Sequence, residues 1–154
     1  MELFNLLKPE AVRVISAVSS KKRLLHTIGE MTHSVYGLDA SKTVAALQER
    51  ETLGPTGVGS GVALPHARSS EIDKVVGAFI LLEKPVDFES VDQQPVDLIF
   101  ALFAPETAGV EHLKALALVS RTLRDAVLRS KLRANPDSST LFTILTEAQN
   151  VQAA

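Results

Sequence analysis

The pattern of hydrophobic and polar positions divides the chain into strand-like and helix-like segments. Val12 to Val18 alternates loosely and is rich in β-branched residues, which predicts a first strand. Val75 to Leu82 and Val96 to Phe103 are continuous apolar runs, a pattern typical of strands that are covered on both faces. The segment between these two runs is bounded by Pro85 and Pro95, and we expect it to form a loop or a small hairpin.

Apolar residues at helical spacing predict a set of helices in the rest of the chain. They run from Ser19 or Ser20 to about Tyr36, from Asp39 or Ser41 to about Arg50, from about Val110 to Arg124, from Ala126 to Arg133 and from Ser138 to Glu147. Serine and aspartate are favourable N-cap residues, and Gly37 is placed to end the first helix.

Strands therefore alternate with helices, while no internal repeat occurs and no linker divides the chain. We predict one α/β domain that spans residues 1–154, with its core at about residues 12–147. Its architecture should be a single-domain sandwich in which α-helices flank a central mixed β-sheet. The order of the strands does not follow from the pattern.

Composition narrows the classes of function. The 154 residues are 45% hydrophobic but only 5% aromatic, so the core should be mainly aliphatic. With 16 basic and 18 acidic residues the net charge is -2, which gives no electrostatic footprint for nucleic acid or an anionic membrane. The absence of cysteine excludes disulfides, thiolate nucleophiles and cysteine metal sites. Neither a signal peptide nor an apolar stretch of spanning length occurs, so we expect a cytoplasmic protein.

The glycine-rich stretch LGPTGVGSGVALPHAR, Leu53 to Arg68, does not complete a nucleotide-binding motif. Gly54 and Gly59 have the spacing of a P-loop. Ser60 and Gly61 follow them, where a lysine and a hydroxyl residue should hold phosphate and magnesium. The pattern G-x-G-x-x-G is not completed either. Two interpretations stay open: the glycines permit tight turns with positive φ, or they also clear space for a docking partner or a phosphoryl group.

Sequence signals for a hydrolase or a metal site are weak. The chain has no G-x-S-x-G elbow, and no spacing singles out a pair of catalytic carboxylates. His26 and His33 lie on the first predicted helix without the acidic or histidine neighbours that a metal site needs. We therefore expect these two histidines at the surface.

His66 and His112 occupy more informative positions. Pro65 fixes its own φ and favours an extended conformation for the residue before it. Val62 to Leu64 should therefore be a short strand, with His66 at its end beside the glycine-rich stretch. His112 lies in the first turn of a predicted helix, where the helix dipole disfavours imidazolium and attracts anions. From the residues alone, a surface or structural role stays open for both histidines.

Three blocks of the sequence resemble the EIIA components of the bacterial phosphoenolpyruvate phosphotransferase system, in the fructose/mannitol-type superfamily. RETLGPTGVGSGVALPHAR (Arg50 to Arg68) is similar to the active-site signature of that superfamily. VDQQPVDLIFALFAP (Val91 to Pro105) is similar to its second strand block, and EHLKALALVSRTLRD (Glu111 to Asp125) to its second histidine helix. The first block has the form found in the nitrogen-regulatory branch, PtsN or EIIA-Ntr. One difference is Ala67, since many members of that branch have glycine after the histidine. The resemblance covers about Val12 to Glu147.

This resemblance implies roles for individual residues. His66 corresponds to the phosphorylated histidine, His112 to a second, supporting histidine of the active site, and Arg50 to an arginine that stabilises charge. We expect the phosphoryl group and a partner to dock against a set of loop residues, namely Gly57, Gly59, Ser60, Gly61 and Arg68. No metal and no cofactor are implied.

The resemblance also implies partners. The protein should be a phosphotransferase component without turnover of a small molecule by itself. It should accept a phosphoryl group from an NPr/HPr-like phosphocarrier and regulate target proteins, such as potassium-transport or sensor-kinase components, through its phosphorylation state. One alternative is a sugar-specific EIIA that passes phosphoryl to an EIIB for uptake. Another is a non-catalytic regulatory binding module. We expect no nucleic-acid partner, no membrane insertion, and a monomer or weak dimer.

Overall fold

The computed structural model of the chain describes the backbone of residues 1–153 and the side chains of residues 1–147. The strands are β1 (Leu7–Ile15), β2 (Gly57–Gly59), β3 (Val62–Ala63), β4 (His66–Ser69), β5 (Val76–Val86) and β6 (Val96–Pro105). The helices are α1 (Leu3–Leu6), α2 (Lys21–Tyr36), α3 (Ala40–Thr52), α4 (Val110–Leu123), α5 (Ala126–Ala134) and α6 (Ser138–Ala153).

The strands form one six-stranded mixed sheet, which confirms the predicted fold class. Its order is β1-β5-β6-β3-β2, and β4 also pairs with β6. β5 and β6 are antiparallel, whereas β1 is parallel to β5. β3 and β4 both run parallel to β6, with Val62 opposite Leu98 and His66 opposite Leu102. The two short strands therefore follow each other along the same side of β6.

The core lies around β5 and β6, whose apolar runs are buried as predicted for strands that are covered on both faces. All but one residue of β6 is buried. The rings of Phe79 and Phe100 lie opposite each other in the two strands with centroids 6.2 Å apart. Helix α4 packs on β6, α6 packs on β1, and α3 packs on β4. These contacts bring the ends of α3 and α4 towards the short strands.

The predicted helix signals are confirmed at three positions. The Ser20 side chain accepts a hydrogen bond from the backbone N–H of Arg23 at 3.0 Å, and Asp39 accepts one from Lys42 at 2.8 Å. Gly37 ends α2 in the left-handed region, with φ of 74°. The local chemistry of these residues thus fixes where α2 and α3 begin and where α2 ends.

Two strand predictions need correction. The first strand is Leu7–Ile15 and not Val12 to Val18. An irregularity in its pairing with β5 accommodates the exposed residues Lys8, Pro9 and Glu10. Because these residues are not apolar, the hydrophobic pattern does not indicate the first half of the strand. The second correction concerns the end of β5, which extends beyond the predicted Leu82 to Val86 and pairs there with Val96. The segment between the two apolar runs is thus a hairpin, one of the two forms expected. In the described residues, no helix combines the length and apolar composition needed to cross a bilayer.

Candidate active site

The backbone around His66 is an interruption between β3 and β4. Pro65 has no N–H, so it donates no hydrogen bond to the neighbouring strand, but its carbonyl accepts one from Leu102 N at 3.0 Å. The N–H of Leu64 turns the other way and donates to the carbonyl of Thr56 at 2.9 Å. His66 is therefore the first residue of β4 and follows β3 across a rigid break. This agrees with the prediction that a short strand precedes His66.

The two ring nitrogens of His66 have different partners. Nδ1 lies 2.8 Å from the carbonyl oxygen of Leu64, which only accepts, so Nδ1 carries the proton. Arg50 donates from Nε to His66 Nε2 at 3.2 Å, and its Nη1 donates to the carbonyl of Gly54 at 2.9 Å. Because these contacts fix the tautomer and the ring orientation, Nε2 holds the lone pair of a half-buried, nucleophilic imidazole.

His112 lies next to His66, as the family resemblance implies. It occupies the first turn of α4, is only 7% exposed, and its ring centroid is 5.5 Å from that of His66. The helix begins at Gly109, which provides no side-chain cap. The buried Nδ1 of His112 has no hydrogen-bond partner among the described residues. A buried ring nitrogen without a hydrogen-bond partner is uncommon, so this one requires a functional or structural explanation.

Both histidines are held neutral. Burial lowers the pKa of His66 below its usual value of 6.5, the hydrogen bond to Leu64 opposes this shift, and the charge of Arg50 adds to it. Burial also lowers the pKa of His112, with further lowering from His66 and Arg68. At neutral pH, Nε2 of His66 is therefore unprotonated and able to attack an electrophile.

Arg68 connects β4 to the segment before α4. Its guanidinium donates to the carbonyl oxygens of Pro105 at 3.3 Å and Glu106 at 3.4 Å, and also to that of Ala108. These bonds hold the start of α4, and hence His112, against the strand that begins with His66. Arg68 remains exposed and brings positive charge to the same end of the site.

The glycine-rich stretch is shaped by close packing as well as by turns. A Cβ atom on the buried Gly57 would lie 2.2 Å from Ser90 Oγ. Gly59, Ser60 and Gly61 all have positive φ, of 104°, 58° and 77°. The interpretation of these glycines as turn residues is therefore confirmed. Ser60 is exposed, but Gly57 is buried against the hairpin loop, so its position does not fit the predicted docking role.

Sequence reasoning missed two features of the site. The first is Glu51, a buried carboxylate that follows Arg50 and bonds to Thr56. Its place directly after Arg50 was the one available signal. The second is a group of exposed apolar side chains on the elements that carry the site residues. This apolar rim consists of Leu53, Val58, Val110 and Leu113, which are 80%, 52%, 62% and 65% exposed.

The part of the chain that the structure describes offers no cluster of metal ligands. No group of three or more histidine, cysteine or acidic side chains within the described residues could hold a metal ion. His26 is half-buried and His33 exposed on α2, where Nδ1 of His33 lies 2.9 Å from the carbonyl of Leu38. Neither of them reaches the pair formed by His66 and His112, since none of the ring contacts or hydrogen bonds of that pair involves α2.

Comparison with known proteins identifies the family. The model of the EIIA 2 family of the phosphoenolpyruvate-dependent sugar phosphotransferase system matches residues 5–148. The chain belongs to the EIIA 2 family. Among EIIA 2 relatives, a nitrogen regulatory protein of Bradyrhizobium diazoefficiens is 43% identical over 145 residues, covering 94% of this chain and 95% of the relative.

Solved structures agree with this membership. The crystal structure of the nitrogen regulatory protein IIA-Ntr from Neisseria meningitidis has a TM-score of 0.85 and 34% identity, covering 94% of this chain and 99% of the other. The crystal structure of IIA mannitol from Escherichia coli has a TM-score of 0.76 at 19% identity, covering 90% and 97% of the two chains. The second likeness shows that mannitol-type EIIA domains share the fold.

Proposed function

We propose that this EIIA 2 protein is a nitrogen-type phosphocarrier and regulator that accepts a phosphoryl group on Nε2 of His66. The main support is the geometry of the His66 ring. Nδ1 donates to the carbonyl of Leu64 at 2.8 Å, and Nε2 accepts from Nε of Arg50 at 3.2 Å. The similarity to nitrogen regulatory proteins over nearly the whole chain supports the choice of branch.

The proposed reaction is transfer between two histidines. The neutral Nε2 of His66 attacks the phosphorus of a phosphohistidine on an NPr/HPr-like donor, in line with the nitrogen–phosphorus bond that breaks. The new bond forms as the donor imidazole leaves with its electron pair, so no net proton is needed. Such transfer depends mainly on positioning and charge stabilisation, which the fixed ring of His66 and the Arg50 guanidinium would supply.

His112 and Arg68 would support the phosphoryl group. A proton on Nδ1 of His112 would find its acceptor in a phosphoryl oxygen, because that atom is buried and has no protein partner among the described residues. Arg68 adds positive charge, and the uncapped first turn of α4 offers backbone N–H groups to an anion. These groups are proposed to stabilise the transferring oxygens without a metal ion.

The donor and the regulated targets would share one docking face. We place it on the apolar rim together with Ser60, Gly59, Gly61 and Arg68, because exposed apolar side chains around a polar centre are typical of protein interfaces. A phosphoryl group adds about -1.5 to -2 charge at the middle of this face. Phosphorylated and free forms should then differ in their affinity for cytosolic or membrane-associated targets, such as potassium-transport or sensor-kinase components.

Phosphorylation with purified components tests the acceptor. The protein is incubated with phosphoenolpyruvate, enzyme I and the carrier, and its intact mass is followed. His66→Ala should remove the added phosphoryl mass completely, whereas His112→Ala should slow transfer by roughly 10²–10⁴-fold, the range for a positioned acid–base group. Label that persists in His66→Ala, or that maps to His112, contradicts the assignment, and an unlabelled wild-type protein would indicate a non-catalytic binding module.

A capture experiment separates regulation from sugar transport. Wild type, His66→Ala and the charge mimic His66→Glu are used as baits in lysate, and the captured proteins are compared. The regulatory proposal requires partner sets that differ between the baits. Capture of an EIIB that drains phosphoryl from His66 and passes it to sugar would favour the sugar-specific alternative.

A further inference from the structure

Glu51 has an unusual environment for a carboxylate. Its side chain is only 7% exposed, and Oε1 lies 2.9 Å from Nζ of Lys21. The backbone N–H of Thr56 donates to the same oxygen at 3.2 Å, while the hydroxyl of Thr56 donates to Oε2 at 2.5 Å. Burial of a carboxylate is costly unless the group is paired and hydrogen-bonded. The ion pair and the two hydrogen bonds meet this requirement, and the bonds tie the end of α3 to Thr56.

A continuous chain of hydrogen bonds leads from Thr56 to His66. The carbonyl of Thr56 accepts from the N–H of Leu64 at 2.9 Å, and the carbonyl of Leu64 accepts from Nδ1 of His66 at 2.8 Å. Arg50, the neighbour of Glu51, binds the carbonyl of Gly54 within the same turn. The last turn of α3 thus holds the backbone before β2 with two adjacent side chains of opposite charge.

The charge of Glu51 also affects the protonation of His66. Burial lowers the pKa of His66 and Arg50 adds to this lowering, while the hydrogen bond to Leu64 and the negative charge of Glu51 act in the opposite direction. Lys21 pairs with Glu51, and Lys22 and Glu89 line the same surface pocket. On the other side of His66 lies His112, on which Arg68 acts. Lys21 Nζ is in turn held 4.6 Å from the centre of the Phe88 ring. A charge at Glu51 therefore offsets the Arg50 guanidinium, which would otherwise make Nε2 less nucleophilic.

We propose that Glu51 is a positioning residue for phosphoryl transfer, which fixes the ring of His66 through Thr56 and Leu64 and balances the charge of Arg50. The proposal rests on the proposed role of His66 as acceptor. It assigns Glu51 no contact with the phosphoryl group. Its effect should appear in the rate of transfer and in the protonation of His66.

The variant Glu51→Gln keeps the shape of the side chain and removes its charge. We expect transfer from the phosphorylated carrier to slow by about 10- to 100-fold, the usual range for a residue that orients a reacting group. The titration midpoint of His66, followed by NMR in the unphosphorylated protein, should fall, and the acid limb of the rate profile should move to lower pH with it. Glu49→Gln removes the same charge from an exposed position of α3 and should change neither.

A second variant separates position from charge. Thr56→Val deletes the hydroxyl that bonds Glu51 but keeps every charge, so transfer should slow by about 10-fold while the His66 midpoint stays near that of wild type. It also serves if Glu51→Gln does not fold. A wild-type rate in Thr56→Val, or a wild-type rate or an unmoved His66 midpoint in folded Glu51→Gln, overturns the proposal. Label retained in His66→Ala refutes the acceptor itself, and the NMR titration distinguishes the two failures.

Discussion

At the scale of single residues, the important contrast is between the two nitrogens of His66. Nδ1 is bound to a backbone carbonyl that cannot move without disturbing β3, whereas Nε2 faces a guanidinium that binds anions. In a histidine with a purely structural role, we expect both ring nitrogens to form hydrogen bonds with fixed groups of the protein. Here the second partner is a flexible cation, which a phosphoryl oxygen would be able to engage in place of the ring.

Removing the guanidinium should therefore slow the reaction more than it weakens the fold. For Arg50→Gln we expect transfer to His66 to fall by about 10²–10³-fold, as for the loss of one charge-stabilising donor. The measurement is the single-turnover rate with phosphorylated carrier. Arg121→Gln, at an exposed position of α4, is the matched control and should transfer at the wild-type rate. Equal rates in both variants would show that Arg50 does not act on the phosphoryl group.

Protonation of the two site histidines should destabilise the protein in acid. Their folded-state pKa values lie below the usual 6.5, so the unfolded chain binds more protons as the pH falls through that value. Stability should be highest above pH 6.5 and should decrease towards the lowered pKa values. Urea unfolding at several pH values measures this, and His112→Gln should show a smaller loss. An identical loss in the variant would mean that His112 does not contribute.

At the scale of elements, the site depends on the short strands and on the glycine-rich stretch that leads into them. β2 lies against the hairpin loop of β5 and β6, where the backbone of Val91 donates to the carbonyl of Gly57 at 3.2 Å. Arg133 of α5 pairs with Asp97 and donates to the carbonyl of Ser60 at 2.7 Å. The stretch is therefore held on both sides, which gives a defined backbone close to His66.

Close packing at Gly57 should make this position intolerant of any side chain. Gly57→Ala would place Cβ 2.2 Å from Ser90 Oγ, and we expect it to lower the free energy of unfolding by about 1–3 kcal/mol, the usual cost of overpacking. Urea denaturation provides the measurement. Because Ser90 Oγ is buried without a hydrogen-bond partner among the described residues, Ser90→Gly should recover much of the loss. No recovery in the double variant would place the cause in the Gly57 backbone instead.

The same elements show which parts of the structure the sequence could predict. The runs that became β5 and β6 and the caps at Ser20 and Asp39 depend on local pattern and local hydrogen bonds, so they were correctly predicted. The predicted bounds of β1 are wrong because the first half of the strand includes polar residues. β2 and β4 have only three and four residues, too few to show a periodicity. His66, His112 and Arg50 were predicted as site residues from the motif resemblance. The position of Glu51 after Arg50 does not reveal its contacts with Lys21 and Thr56, which only the structure shows.

At the scale of the whole molecule, the site lies away from β1, which forms the opposite edge of the sheet. It combines the end of α3, the break between β3 and β4, and the start of α4. These three elements all meet near β6. The apolar rim lies on β2, at the end of α3 and in the first turn of α4, so we propose that a protein that reaches His66 also contacts the rim.

A charge in the apolar rim should weaken donor binding without unfolding the protein. For Leu113→Asp, at a position that is 65% exposed, we expect a Kd for the carrier about 10- to 100-fold higher than that of wild type. Phe4→Asp, at a 64% exposed position of α1, is the control. Calorimetric titration with the carrier compares the two variants, and equal affinities would exclude the rim from the docking face.

The break at Pro65 affects how a target protein would detect a phosphoryl group on His66. The backbone is paired on both sides of His66. Before it, Leu64 pairs with Thr56 and Pro65 with Leu102; after it, Ala67 lies opposite Phe103 in the pairing of β4 with β6. A phosphoryl group on Nε2 would therefore add charge without a loose segment to rearrange. If targets bind the docking face proposed for the donor, a target would detect this charge only by direct contact, and each molecule would bind one protein at a time. The response would then follow the phosphorylated fraction, as for a stoichiometric titrant, without the gain of a cooperative switch.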